Sequence, residues 1–205
     1  MKRAIAYAMI ACLILAAGCK KEATEKPEPA IKKLLARTDI VIVKHFFAKA
    51  GVTEDKNPKL PEVYPGMVSI EPIWVYEPGK QKEGDRGAQI TVMESWLPPS
   101  AGGSHDIREA TAFLDLDELK DMDGALGYFS QSDSPWRSSA KGDTVEVHFN
   151  SKDNFQVSAF KSEEDGKESL AFEAEGINAF IPIEKLPEFK EKLEAAIHLL
   201  DSKMN

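Results

Sequence analysis

Cysteine is nearly absent: the 205-residue chain has two, Cys12 and Cys19, both near its start. Everything after Cys19 is therefore without a disulfide, a cysteine-type zinc or iron–sulfur site, or a thiol nucleophile. A fold built there must stand on its hydrophobic core. Glycine (13) and proline (12) are too scarce for a low-complexity or collagen-like chain. Positive charge is short as well: Lys+Arg 26 face Asp+Glu 34, a net charge of -8, which argues against a surface made for polyanions. The uncharged apolar run Ala4 to Ala16 has thirteen residues, where a spanning helix needs about 20. What remains is 42% hydrophobic and 29% charged, the composition of an ordinary globular protein. Its length suits one domain, or two small ones, with a sizeable core.

The start of the chain carries a targeting pattern. Lys2 and Arg3 form a basic n-region, and Ala4 to Ala16 an h-region of signal-peptide length. The run closes on Leu15-Ala16-Ala17-Gly18-Cys19, which resembles the lipobox of bacterial lipoproteins. One departure is that Leu15 stands a place earlier than in the commonest pattern, with Ala16 in its stead. The resemblance implies cleavage between Gly18 and Cys19, so that residues 1–18 are a lipoprotein signal peptide. It also implies acylation of the Cys19 thiol and a membrane anchor of more than one chain. Lys20, where inner-membrane retention in enteric bacteria favours Asp, points to the outer membrane. The body is then expected in the periplasm, lipid-anchored within the bacterial cell envelope. The plainer alternative is an ordinary secretory signal followed by a chance cysteine. Residues 19–37, polar and proline-containing, read as the lipidated N-terminus and a flexible tether; residues 20–37 carry +3. Without Lys2 and Arg3 the chain stands at -10, which leaves about -13 on residues 38–205, so a basic tether lies beside anionic headgroups and an acidic body away from them.

From Asp39 onward strand and turn signals alternate. Ile40 to Phe47 reads as a first strand, and a proline-rich loop, 57–66, follows. Val68 to Tyr76 and Ala88 to Glu94 flank a glycine-bearing turn, with Pro72 expected to mark an edge or a bulge. Glu109 to Leu116 runs into a helix with Asp115 as N-cap and Glu118 three residues on, the capping-box spacing. Leu116, Leu119, Met122, Leu126 and Phe129 make its apolar face. A second set follows: Thr144 to Phe149, Asn154 to Phe160, Ser169 to Ala174, Ala179 to Ile183, and a helix to about Ser202 faced by Leu186, Phe189, Leu193, Ile197 and Leu200.

Segments 112–119 and 179–186 align at an offset of 67, and Met122/Phe189 and Leu126/Leu193 continue the register. The expected fold is α+β: one globular domain, 38–205, made of a duplicated ββββα unit with pseudo-repeats at about 39–130 and 143–202. Curled antiparallel sheets would pack on two helices. That order resembles the Whirly and related helix-grip folds, a topological resemblance that implies a fold and transfers no function. The chain also resembles bacterial lipoproteins and secreted proteins with a YEPGK-like turn, here Tyr76 to Lys80, and an FLDLDEL-like segment, here Phe113 to Leu119. That resemblance implies no activity.

Chemistry-bearing motifs are few, and no catalytic residue, metal site or cofactor is expected. Aligning Gly124 with the glycine of an EF-hand loop puts Leu119 and Ser130 where ligands belong, so the acidic run from Asp115 reads as helix capping. Ser104-His105-Asp106 holds the residue types of a hydrolase triad, but consecutive residues cannot relay one into the next. None of the four histidines has a short metal-type spacing. Whirly proteins bind single strands through a basic stretch in the first sheet; the nearest stretch here, Lys80 to Arg86, mixes three cations with Glu83 and Asp85, so no nucleic-acid partner is expected.

Two function classes stay open. One is a non-catalytic binding or scaffold domain whose partner is an envelope protein or a small apolar ligand held between sheet and helix. Trp74, Tyr128 and Phe129 are candidate lining residues. Trp96, before Leu97-Pro-Pro, and Trp136, after Pro135, read as loop contact residues. The other is a periplasmic hydrolase using His105 or His148 with nearby carboxylates.

Overall fold

The computed structural model describes residues 27–46, 50–53, 66–96, 106–134, 136–137, 146–161 and 168–202. Gly18, Cys19, Ser104 and His105 lie outside the described residues. The β-branched and aromatic runs pair into two antiparallel sheets, and the fold is α+β. In the first sheet, β1 (Ile42–His45) and β2 (Ala50–Thr53) lie along one edge of β3 (Met67–Tyr76), followed by β4 (Asp85–Trp96) and β5 (Asp106–Asp115). The second is a meander of β6 (Glu146–Asn150), β7 (Gln156–Lys161), β8 (Glu168–Ala174) and β9 (Ile177–Pro182). Helix α2 (Leu116–Ser130) follows β5, and α3 (Leu186–Ser202) follows β9 through a turn of 3-10 helix, Ile183–Lys185.

Pro72 explains why the edge strand comes in two pieces. β3 is an interior strand, so the edge position expected at this proline is not taken. His45 pairs with Ile73 and Ala50 with Ile70, so the pairing along this edge breaks opposite Glu71 and Pro72. Proline has no N–H to offer the ladder there. Its carbonyl is still used, accepting the Phe46 N–H at 3.0 Å.

Alternation puts one face of each sheet into a shared core. Val68, Ile70, Ile90, Val92 and Leu114 of the first sheet belong to the same buried cluster as Phe155, Val157, Leu170, Phe172 and Ile181 of the second. Leu119, Met122, Leu126 and Phe129 of α2 and Leu186, Phe189, Leu193 and Leu200 of α3 complete it. The Phe172 ring meets Phe189 at 4.8 Å and Phe155 at 6.4 Å between centroids. On α3 the inner position is Ala196, and Ile197 is only partly buried.

Part of the segment expected as a tether, 19–37, is folded. Ala30–Leu35 forms a helix, α1, whose Ile31 is 0% exposed. A six-residue helix has no stability of its own; this one forms because Ile31, Leu34 and Leu35 share a side that packs on the outer face of the first sheet. Ile31, Ile73 and Val75 make a second buried cluster there, flanked by Val43 and Phe113. Gly87 permits the approach: a Cβ would lie 2.9 Å from Ile31 Cδ1 and 2.0 Å from the Leu114 carbonyl oxygen.

Candidate functional site

Asp115 is the hub that holds α1 down. Its carboxylate accepts the N–H groups of Ala30 (2.9 Å) and Ile31 (3.2 Å), so it satisfies the open start of α1 across the fold. The same residue is the N-cap of α2, and the capping box read from the sequence is formed, with Glu118 accepting the Asp115 N–H at 3.1 Å. The other Glu118 oxygen takes the Lys152 N–H at 2.7 Å. Asp153 accepts the Phe113 N–H at 2.9 Å and pairs with Lys32 of α1. That bond and the Asp153 charge hold the Lys32 ammonium above its ordinary pKa.

Asp115, Asp117 and Glu118 could by their spacing share a cation. The Lys152 ammonium is already among them, at 3.3, 3.4 and 3.7 Å. Burial opposes its charge, but Glu118 and the two aspartates outweigh that and keep its pKa raised. These carboxylates organise the junction of α1, α2 and the β6–β7 turn.

Of the two tryptophans expected in loops, Trp136 lies in a turn and Trp96 does not. Trp96 is the last residue of β4, with its backbone still in register with Asp106. Trp136 is 0% exposed and belongs to the core, so it is not a surface contact residue. Ser134 Oγ donates to the Tyr128 carbonyl at 2.9 Å, and Arg137 Nη2 donates to that of Phe129 at 3.1 Å. These bonds fold the segment back over the end of α2, and Arg137 lies on the indole at 4.9 Å. Phe129 is core as well, Tyr128 stays exposed, and Trp74 is half-buried beneath Arg86 at 4.8 Å.

Among the histidines, His45 pairs with Glu71 at 3.0 Å across β1 and β3, and His198 is exposed on α3. His148 has richer company. Its Nε2 lies 3.3 Å from Glu146, and its Nδ1 lies 2.7 Å from Ser158 Oγ and 2.6 Å from Gln156 Nε2. Acid, imidazole and hydroxyl thus stand in one line, a grouping invisible until β6 and β7 pair His148 with Ser158. Hydrolysis also needs free donors for an oxyanion. β7 is an interior strand, so the backbone N–H groups around Ser158 are committed to β6 and β8. The line is a cross-strand polar pairing.

A recess opens on the outer face of the first sheet, beyond the part covered by α1. It has a volume of about 400 Å³ and is lined by Met67, Ser69, Gln89, Thr91, Met93, Glu109 and Thr111. Register orders these side chains into rows. Ser69 pairs with Thr91 and Thr91 with Thr111, while Met67 pairs with Met93 and Met93 with Glu109. Among the described residues, the three hydroxyls and the Gln89 amide have no hydrogen-bond partner. A smaller recess of about 210 Å³ lies at Lys82, Gly84, Asp85, Arg86 and Leu116. Burial, then the nearby Asp115 charge, pushes the Asp85 carboxyl above its ordinary pKa. Sequence reading passed over the hydroxyl row because outward polar residues are what any half-buried strand shows. Only pairing registers align residues 69, 91 and 111.

No protein-family model matches the chain, and no curated protein matches it in sequence.

Proposed function

We propose that this chain is a lipid-anchored protein of the bacterial envelope whose folded body is a non-catalytic binding or scaffold domain. The observation that carries the binding reading is the recess on the first sheet: among the described residues, polar groups without hydrogen-bond partners line it, and its hydroxyls make no hydrogen bond to its one carboxylate, Glu109. Anchoring rests on the lipobox-like Leu15 to Cys19, with cleavage after Gly18. An outer-membrane address with the body in the periplasm follows from Lys20. Because α1 is clasped to the sheet, ten residues, 20–29, separate Cys19 from Ala30. At about 3.5 Å each they reach at most about 35–40 Å, so the body stays close to its membrane. An apolar ligand between sheet and helix is not favoured, since Phe129, Phe155, Phe172 and Phe189 fill that space with exposures of 0–1%.

The architecture is read as a duplicated ββββα unit with helix-grip-like packing. At the offset of 67, Ala112/Ala179, Leu114/Ile181, Leu119/Leu186, Met122/Phe189 and Leu126/Leu193 are buried in both copies, none more than 1% exposed. Asp123 and Lys190, themselves 67 apart, meet as an ion pair, which is the contact expected where a pseudo-twofold axis crosses α2 and α3.

The test is fractionation of cells carrying Cys19→Ala, with native mass spectrometry of the wild-type protein gently extracted from its membrane. Loss of the variant from the membrane fraction supports the anchor, and sedimentation unchanged refutes it. A retained ligand or protein mass supports the binding role, and a bare monomer counts against it.

A further inference from the structure

We propose that the recess on the first sheet binds a neutral polyhydroxylated ligand, a saccharide, through the hydroxyl row Ser69–Thr91–Thr111. This deepens the binding role above and does not depend on the lipid anchor. Neighbouring strands hold the hydroxyls about 4.8 Å apart, and the branched Cβ of Thr91 and Thr111 restricts their rotamers. The row is thus set before any ligand arrives, and few torsions are lost on binding. Each hydroxyl both donates and accepts, and the Gln89 amide does the same beside them, which is the complement of a sugar's own hydroxyls. Met67 and Met93, paired in register, border the row and offer soft apolar surface to the C–H face of a sugar ring. The charge of the lining selects against other ligands: among the described residues it holds no Lys, Arg or His, and its one carboxylate is Glu109. A phosphate or carboxylate ligand would meet repulsion without a counter-charge. The volume, about 400 Å³, falls in the range of small-molecule sites, about 300–1,000 Å³.

The experiment uses the full-length chain with Cys19→Ala, labelled with 13C at its six methionine methyls and titrated with maltotriose, with triacetylchitotriose and, separately, with inorganic phosphate. A saccharide is expected to shift the Met67 and Met93 methyls and to leave Met122, buried in α2, in place. Thr91→Val and Thr111→Val keep the strand and remove one hydroxyl each. Each should weaken binding by about tenfold, while Ser158→Ala on the other sheet should not. No shift with either saccharide up to millimolar concentration overturns the assignment, as do shifts unchanged in both valine variants, or a response to phosphate alone. If the shifts are absent while the membrane-extracted protein retains another mass, the saccharide falls and the binding role stands. If the extracted protein is also bare, both fall.

Discussion

Removing the Asp115 side chain should cost far more than one surface carboxylate is worth. The residue caps α2, and it accepts two N–H groups at the start of α1. Loss of an N-cap costs about 1 kcal/mol, and each part-buried N–H left without its acceptor about 1 kcal/mol more. The ion pair with Lys152 adds little, because Asp117 and Glu118 remain within 3.4 and 3.7 Å of that ammonium. Asp115→Ala is therefore expected to destabilise the fold by about 3 kcal/mol. For a domain of this size that lowers Tm by about 6–12 °C. Thermal unfolding by circular dichroism, in a Cys19→Ala background, reads the shift. Limited trypsin digestion at Lys32, Lys33 and Arg37 reads the release of α1 directly. Asp117→Ala is the control, since its carboxylate is 71% exposed and should cost less than about 0.5 kcal/mol. The reasoning is refuted if Asp115→Ala melts within about 2 °C of its parent, if its trypsin sites stay protected, or if the control costs as much.

Two glycine substitutions should act with opposite sign. Gly87→Ala drives a methyl into the Leu114 carbonyl and Ile31 and should cost about 2 kcal/mol or more. Gly124→Ala meets nothing within 4 Å on α2 and should stabilise by about 0.5–1 kcal/mol; urea midpoints at constant slope decide both. Trp136→Ala should lose about 3–5 kcal/mol as a core truncation, whereas a surface contact residue would leave the urea midpoint almost unmoved. Asp85→Asn should melt above its parent at neutral pH. Its carboxyl pKa is raised by burial, so in the parent the folded state gains stability as pH falls through the carboxylate range. The difference should close as the acid end is approached, and a gap that is constant or reversed in a Tm–pH series argues against a desolvated Asp85.

The α2 start was readable because capping is local chemistry: Asp115 and Glu118 sit three apart, and backbone geometry does the rest. Alternation likewise exposed the strands and their buried faces, since side-chain direction repeats every two residues. Pro72 announced a break in pairing without saying on which strand it would fall. The helix 30–35 was hidden because six residues carry too little periodicity and too much charge; what stabilises it is Gly87, Ile73, Val75 and Asp115, all distant in sequence. Trp136 was misread for a related reason, as Pro135 marks a turn but not the direction in which the next side chain points.

By itself, then, the sequence determined most of the element types and most of the inward faces, which are set by neighbours within a few residues. Tertiary structure alone decided that part of the expected tether is fold, that a tryptophan after a proline is core, and that Ser69, Thr91 and Thr111 stand in one row. Each of these depends on strand register and on contacts between distant segments, which no local pattern encodes.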